Sequence, residues 1–302
     1  MSFDHSISRR SVFKGAGGLA VASALGAGAA LGANTPAHAA GLDVVEHQTY
    51  GRMEYYKVST PSIAWKPRVN VLLPDGYDSG RRYPVLYLLH GGAQNFMKFD
   101  KEDDIRGLTA GRDLIVVMPD GGIAGWYCNP VTANLGPRNW ETFHIEELIP
   151  WVDATFRTFP EQAGRAVSGF SMGGFGALKY TAKYYGHFAS VSSHSGPASL
   201  RSINGAVAHW ANASSTIDLG GGTVYGTPWD EARVSADNPV ERIESYRGKR
   251  IFLVSGTEAF DVNEGFVLPT QREFAAALDR AGLGEDQVGI TEIGWTQVAA
   301  LT

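Results

Sequence analysis

Apolar residues along the chain fall into short runs that are separated by longer amphipathic stretches. Polar and apolar positions interleave over residues 52–60 and 68–73, which predicts an opening pair of antiparallel strands. Three later runs are apolar throughout, a pattern typical of strands buried on both faces of a parallel sheet. These runs are residues 85–89, 114–118 and 251–254.

One amphipathic stretch has the spacing of a helix. Between residues 140 and 156 the apolar side chains recur every three or four positions, and Pro150 is expected to kink the helix. Strands that alternate with crossover helices predict a doubly wound, mostly parallel α/β sheet. In such a sheet the loops at the carboxyl ends of the strands carry the functional site.

The first 39 residues resemble a twin-arginine export signal. Arg9 and Arg10 precede an Ala/Gly-rich stretch over residues 15–33, and Ala37-His38-Ala39 follows as a cleavage site. A membrane-spanning helix is the weaker alternative because this stretch has few large apolar side chains. We expect removal of residues 1–39, one domain over residues 40–302, and a secreted or cell-wall location in a bacterium or archaeon.

The composition of the chain limits the classes of partner molecule and bound group that we expect. The formal net charge is −5 and the mature chain has no basic run, so we expect no nucleic-acid partner and no stable membrane span after processing. Cys128 is the only cysteine in the sequence, which excludes an intramolecular disulfide and fits a buried small residue. His144 and Glu147 share a helix without a third ligand, so neither a metal nor a cofactor is expected.

Candidate chemistry centres on the segment Gly169-Phe170-Ser171-Met172-Gly173. It follows a short strand over residues 165–168 and precedes a helical pattern that begins at Phe175. This strand, turn and helix are the context of the Gly-x-Ser-x-Gly nucleophile elbow, in which small residues allow close packing around a strained serine. The pattern predicts that Ser171 is the nucleophile of an acyl-transfer reaction.

A second glycine-rich loop, His90-Gly91-Gly92-Ala93, follows the strand over residues 85–89. In serine hydrolases of this build, an amide from this loop and the amide after the nucleophile hold the developing oxyanion. Gly92 and Met172 are therefore the candidate donors.

The histidine that should activate Ser171 has no obvious position. The elbow fold supplies its partners in the order serine, acid, histidine, yet no histidine follows His209 in the sequence. Either the base comes from an unusual position or catalysis is impaired.

Several segments together resemble one esterase family. They are residues 87–89, 116–122, 126–127, 140–143, 237–239, 255–257 and the elbow. The family includes the mycolyltransferases of the antigen 85 complex, S-formylglutathione hydrolase and related secreted actinobacterial esterases. The resemblance spans nearly the whole mature chain and implies an α/β-hydrolase fold.

The resemblance also implies a catalytic acid. In the mycolyltransferases the catalytic glutamate precedes an aromatic and an aliphatic residue and stands ten positions before a helix phenylalanine. Glu264, with Phe266, Val267 and Phe274, matches that frame. Glu258 and Asp261 follow the strand over residues 251–254 more directly and stay open as alternatives.

The chain also departs from the family. The family's histidine would fall near residues 294–296, where this sequence has Gly-Trp-Thr, and the carboxyl end at Thr302 reads as truncated or altered. His90 and Ala93 replace the residues that hold trehalose, which argues against trehalose specificity. His194 ends the strand after the nucleophile helix and is a candidate for contact with substrate.

Residues 197–248 are rich in Gly, Ser, Asn and Trp and form the candidate lid insertion, in which Trp210 could line a substrate groove. The sequence as a whole predicts a secreted serine acyltransferase or carboxylesterase that forms an acyl-enzyme on Ser171, acting on a small-molecule, lipid or glycolipid ester. The alternative is a non-catalytic cell-wall or carbohydrate-binding protein that keeps the fold and lacks the base.

Overall fold

The computed structural model describes residues 41–78, 80–257, 262–283 and 287–293, so the predicted export signal and residues 294–302 lie outside the described residues. Nine strands of the described residues form one sheet in the order β1-β2-β3-β5-β4-β6-β7-β8-β9. Their bounds are β1 Asp43–Tyr50, β2 Met53–Ser59, β3 Arg68–Leu72, β4 Val85–Leu89, β5 Ile115–Pro119, β6 Arg165–Phe170, β7 Ser190–His194, β8 Arg250–Gly256 and β9 Val288–Ile293.

The sheet has an antiparallel and a parallel part. The antiparallel pairs are β1–β2, β2–β3 and β3–β5. The parallel pairs are β5–β4, β4–β6, β6–β7, β7–β8 and β8–β9. The prediction of a mostly parallel α/β sheet with an opening antiparallel pair is confirmed. Because the parallel strands point the same way, the loops after β4, β6 and β8 all reach one edge of the sheet.

Helices cover both faces of the sheet. One face carries the larger core beneath α5, and the other carries a smaller core beneath α1 and α2. The α-helices are α1 Lys98–Lys101, α2 Ile105–Leu108, α3 Trp140–Thr142, α4 Ile149–Thr155, α5 Met172–Lys183, α6 Ser202–Ser215, α7 Glu231–Asp237 and α8 Val262–Arg280.

The amphipathic stretch predicted as one helix is interrupted by a wider turn. A π-helical segment, Phe143–Leu148, connects α3 to α4, and Pro150 lies in the first turn of α4. Pro150 has no amide hydrogen to donate to the preceding turn, and a wide turn before it accommodates that loss. The irregularity therefore occupies the six residues before α4 rather than Pro150 alone.

Residues 197–248 contain α6, α7 and a 3-10 helix, Pro239–Tyr246, and the last two of these helices pack against α5. At the start of α6, residues Ile203, Asn204 and Gly205 have left-handed backbone angles. The rest of α6 is regular and places Trp210 and Ser214 along the helix that borders the cavity described below.

A buried lysine ties α5 to its neighbours. The Nζ atom of Lys179 lies 2.6 Å from Glu141 and 3.3 Å from Asp237, and all three side chains are buried. Burial acts to lower the pKa of Lys179, but these carboxylates outweigh it and hold the pKa well above its usual value. Burial also raises the pKa of the adjacent Cys128 thiol to about 12, so this cysteine is a packed, protonated residue as expected.

Candidate active site

Ser171 stands at the junction of β6 and α5. Its φ of 51° and ψ of −115° form a strained conformation that residues other than glycine rarely adopt. A Cβ atom on Gly169 would lie 2.2 Å from the Gly173 carbonyl oxygen, and one on Gly173 would lie 2.1 Å from the Leu89 carbonyl oxygen. Glycine at both positions therefore lets β4, β6 and α5 pack closely enough to hold the Ser171 turn.

The first predicted oxyanion donor is the amide of Met172. Met172 is the first residue of α5, and an amide at that position has no acceptor within the helix. The preceding amide, of Ser171, donates to the His194 carbonyl oxygen at 2.8 Å and ties the turn to β7. The Met172 amide therefore stands at the positive end of the helix dipole, where negative charge is favoured.

The second predicted donor is the amide of Gly92, in the loop after β4. The amides on either side are engaged, because Gly91 donates to Gln94 Oε1 at 2.8 Å and Ala93 donates to the Ile123 carbonyl oxygen at 2.7 Å. Within the described part of the chain no acceptor bonds the Gly92 amide itself. Gly92 lines the same cavity as Ser171, so this amide is available to a substrate oxygen there.

His90 holds the oxyanion loop from below. Its Nε2 atom accepts from the Gly121 amide at 2.9 Å, so its Nδ1 atom carries the hydrogen and donates to the Gly91 carbonyl oxygen at 2.8 Å. The Tyr127 hydroxyl donates to the His90 carbonyl oxygen at 2.8 Å. His90 is fully buried and its ring is committed to the backbone, so it supports the loop and does not reach Ser171.

A buried ion pair supports the neighbouring loop, which carries Ile123. Asp218 accepts from the Ala124 amide at 3.3 Å and from Arg138 Nη1 at 2.8 Å, and both charged side chains are buried. Arg138 also donates to the carbonyl oxygen of Ser215, the last residue of α6. Sequence reasoning missed this pair because its members lie 80 residues apart and belong to no motif.

The elbow and the two loops enclose a cavity of about 370 Å³. Polar groups gather near the nucleophile, and apolar and aromatic side chains form the remaining wall. Its lining residues are Gly92, Ala93, Ile123, Ala124, Trp126, Phe170, Ser171, Met172, Ser195, Trp210, Ser214, Ile217 and Glu264.

Glu264 borders this cavity from the first turn of α8. One carboxylate oxygen, Oε2, accepts from the Ser255 hydroxyl at 2.9 Å, which fixes the side chain at the carboxyl end of β8. The amino-terminal turn of a helix favours a negative charge. The structure thus places Ser171 and Glu264 on one cavity, while the alternative acids, Glu258 and Asp261, lie outside the described residues.

Among the histidines in the described ranges, none lines the Ser171 cavity. His144 bonds the Tyr180 hydroxyl at 2.9 Å and the Asp120 carbonyl oxygen at 2.8 Å, and burial lowers its pKa to about 4. The predicted family position, residues 294–296, lies outside the described part of the chain. The described residues thus supply a nucleophile, two amide donors and a carboxylate on this cavity, and no described histidine lines it with them.

The two candidate substrate contacts occupy different places. Trp210 lines the Ser171 cavity and packs edge-to-face on Trp126, with 5.1 Å between ring centroids. His194 instead bonds the Ser192 hydroxyl at 2.7 Å and lines a separate apolar cavity on the other side of Phe170. The geometry thus brings Trp210 to Ser171 and keeps the His194 side chain away from it.

Two further features concern the described residues as a whole. None of their helices combines the length and the apolar character needed to cross a bilayer. In the same ranges no group of three or more His, Cys, Asp or Glu side chains is arranged to hold a metal ion. His144 and Glu147, which share a helical segment, have separate partners, since Glu147 accepts from Thr60 and Ser62.

Comparison with known sequences places the site in context. The family described as "Putative esterase" matches residues 60–288. The chain is 64% identical over 255 residues to Esterase Rv1288 of Mycobacterium tuberculosis strain H37Rv, an alignment that covers 80% of this chain and 56% of the relative. Esterase MT1326 of strain CDC 1551 gives the same values. The chain thus spans about half the length of the curated relatives it matches.

Solved structures share the architecture. MPT51 (FbpC1) of M. tuberculosis superposes with a TM-score of 0.62 at 21% identity, covering 82% of this chain and 90% of the other. The S-formylglutathione hydrolase of Agrobacterium tumefaciens gives a TM-score of 0.63 at 17% identity, covering 83% and 90%. A ferulic acid esterase superposes with a TM-score of 0.58 at 22% identity, covering 80% of this chain and 90% of the other. These likenesses confirm the predicted α/β-hydrolase fold.

Proposed function

The chain belongs to the esterase family, and on that premise we propose that it is a serine esterase that forms an acyl-enzyme on Ser171. One observation carries the proposal: Ser171 sits on a strained strand-to-helix turn and shares a cavity with the amides of Gly92 and Met172. Substrates are small-molecule esters at the least, and the chemistry is acyl transfer from the ester to the serine hydroxyl.

The two steps of this reaction use the groups on the cavity wall. The Ser171 oxygen attacks the ester carbonyl and loses its proton to a base, and the oxyanion that forms accepts hydrogen bonds from the Gly92 and Met172 amides. The alcohol leaves, and water or a second hydroxyl compound then takes the acyl group. Glu264 would orient the imidazole of the base and stabilise its charged form.

The cavity wall supports an acyl group with apolar character. Ile123, Trp126, Trp210 and Ile217 contribute apolar surface to the cavity wall. Such a wall favours the acyl chain of a lipid or glycolipid ester, and an acyl-enzyme can pass its acyl group to water or to a sugar or alcohol hydroxyl. We therefore include acyl transfer to a hydroxyl acceptor in the proposal, beside hydrolysis.

The proposal is tested with p-nitrophenyl butyrate and with a fluorophosphonate reagent. Release of p-nitrophenol and a covalent phosphonyl adduct on the Ser171 peptide are expected for the parent protein, and both should vanish in Ser171→Ala. The Ser195→Ala variant is a matched control, because Ser195 lines the same cavity and lies off the elbow. An adduct on another residue would rule out Ser171 as the nucleophile.

The second candidate function is a non-catalytic carbohydrate-binding or cell-wall protein. The observation that favours it is the lack of a histidine lining the Ser171 cavity within the described residues. If parent and Ser171→Ala proteins hydrolyse the ester at the same rate and neither takes up the phosphonate, this alternative is correct.

We also propose that the protein acts after export by the twin-arginine route. The support is the sequence of residues 1–39 alone, with Arg9 and Arg10 ahead of the apolar stretch. Replacement of both arginines by lysine should keep the protein in the cytoplasm, and amino-terminal sequencing of the exported form should begin at Ala40. Unchanged export of the double variant would contradict this route.

A further inference from the structure

A second cavity, of about 560 Å³, lies on one face of β1, β2 and β3. Residues that pair directly across antiparallel strands share a face, and so do residues two apart on one strand. Gln48 pairs with Tyr55, and Tyr55 pairs with Asn70 on the next strand. A parallel row of Glu46, Lys57 and Arg68 lies beside them, and the loop residues Phe96 and Met97 close the side.

This basic cavity differs in charge from the chain as a whole, whose formal net charge is −5. Four cationic side chains line it: Lys57, Arg68, Lys101 and Arg106. Lys57 pairs with Glu46 at 2.7 Å, and Arg106 pairs with the buried Asp100 at 2.6 Å. Arg68 and Lys101 pair with no carboxylate among the described residues, so their charges are available to an anion.

Aromatic rings form the floor of the basic cavity and are held in position. The Tyr55 hydroxyl donates to Asp100 Oδ2 at 2.6 Å and accepts from Arg106 Nη2 at 2.8 Å, which fixes the ring. The guanidinium of Arg68 lies over the Phe96 ring, 5.9 Å from its centroid. Rigid aromatic faces with a few placed polar groups are typical of small-molecule sites, and this volume is in the usual range of roughly 300–1,000 Å³.

One buried polar atom at this site has no partner. Asn70 is fully buried, and its Nδ2 group donates to the Phe96 carbonyl oxygen at 3.1 Å and to Met97 Sδ at 3.2 Å. Its Oδ1 atom accepts no hydrogen bond from the described residues. Leaving such an acceptor unpaired is unfavourable by about 1–3 kcal/mol, so a ligand that brings a hydroxyl donor gains there.

We propose that the basic cavity binds an acidic glycan through a sugar that carries a carboxylate. The apolar face of the sugar ring would lie on Tyr55, a ring hydroxyl would donate to Asn70 Oδ1, and the carboxylate would meet Lys101 and the Arg68 guanidinium that lies over Phe96. The planar fork of arginine matches a carboxylate in geometry. A concave site with fixed rings fits one sugar residue better than the flat surface of a membrane.

The basic cavity stands next to the proposed esterase site in the chain. One loop serves both, because Gly92 lines the Ser171 cavity and Phe96 lines the basic cavity. A glycan held there would be bound on the loop that also carries a proposed oxyanion donor, Gly92. Binding itself needs no catalysis and therefore goes beyond the proposed function.

The test measures binding to the Ser171→Ala protein by titration calorimetry, so that its outcome does not depend on esterase activity. Trigalacturonate is the probe, and neutral maltotriose and inorganic phosphate are the comparison ligands. We expect trigalacturonate to bind at least about tenfold more tightly than either one, a free-energy difference of about 1.4 kcal/mol. Its affinity should fall as salt is raised, since Arg68 and Lys101 are exposed.

The double variant Arg68→Gln, Lys101→Gln should weaken trigalacturonate binding by at least about tenfold. The matched control is Arg112→Gln, Arg250→Gln, which makes the same charge change at two exposed positions outside the cavity and should bind like the parent. Near-ultraviolet circular dichroism verifies that each variant is folded. Equal binding of maltotriose, equal binding of phosphate, no binding at all, or equal losses in both double variants would each overturn the proposal.

Discussion

On one side of the Ser171 cavity, hydrogen bonds hold the frame of loops that carries the amides of Gly92 and Met172. His90, Ala93 and the buried pair of Arg138 and Asp218 hold that frame. On the other side Glu264 is positioned by Ser255, and no described histidine stands beside it. The oxyanion side is held by contacts that join several loops of the chain, whereas no described histidine completes the base side.

The largest expected effect comes from removing one donor on the oxyanion side. Gly92→Pro deletes the amide hydrogen and should lower Ser171-dependent ester hydrolysis by about 10²- to 10³-fold. Gly92→Ala is the control, because a Cβ at this position would meet only the Ile123 carbonyl oxygen at 3.6 Å. Steady-state rates with p-nitrophenyl butyrate measure both. Equal activity in the two variants would show that another group stabilises the oxyanion.

Acid should weaken the oxyanion side through His144, which bonds the Asp120 carbonyl oxygen beneath it. Burial lowers the pKa of His144 from its ordinary value of 6.5 to about 4, so the unfolded chain takes up this proton first as the pH falls. The contribution of neutral His144 to the free energy of unfolding is therefore complete above pH 6.5. About 3 kcal/mol of that free energy is lost as the pH falls to 4.

Urea unfolding measured at several pH values tests this contribution. The His144→Gln variant keeps a polar side chain in the pocket and should lose that part of the pH dependence between pH 6.5 and 4. A variant whose free energy of unfolding has the same slope against pH as the parent would assign the effect to other groups.

The comparison between the two sides is sharpened by supplying the base from solution. Free imidazole should raise Ser171-dependent hydrolysis by roughly tenfold, a fraction of the 10²–10⁴ that a positioned base contributes. The Ser171→Ala protein, measured in the same imidazole solutions, gives the background reaction. If the parent already works at ordinary enzyme rates and gains nothing from imidazole, the protein supplies its own base and the base side is complete.

The smallest effect is expected at Glu264. Because no described histidine lines the Ser171 cavity, Glu264→Gln should change the rate by less than about threefold in the absence of imidazole. In its presence the variant should lose most of the gain, because the carboxylate stabilises a bound imidazolium. A large loss without imidazole would mean that Glu264 itself takes the proton or that a histidine is already in contact with it.

Strands with at least one buried face, such as β2, β4 and β8, were predictable from the sequence, and the exposed edge strand β1 was not. The apolar run at residues 85–89 has the same first and last residue as β4, because each of its side chains packs against the hydrophobic core on one face of the sheet or the other. β1 escaped prediction because seven of its eight side chains are exposed and the segment has no apolar alternation. Burial leaves a periodic pattern in a sequence, and an exposed edge strand lacks that pattern.

The candidate site divides in the same way. Ser171, Gly92 and Met172 follow from motifs whose spacing is fixed by local geometry, and the structure gathers all three on one cavity. Trp210 could be placed only within a candidate lid, and Asp218 gave no signal, because its role depends on Arg138 and Ala124 from elsewhere in the chain. Such long-range pairing is visible only once the chain is folded.

The Arg138–Asp218 pair also bears on how this protein could be recombined with its relatives. A chimaera that exchanges residues 197–248 for another lid would cut between Asp218 and its two partners, Arg138 and the Ala124 amide. Arg138 would then be a buried cation without its carboxylate, a loss of roughly 3–5 kcal/mol. An exchange of substrate specificity should therefore transfer the lid together with residues 121–138. Chimaeras that keep these two segments from the same parent should fold most readily.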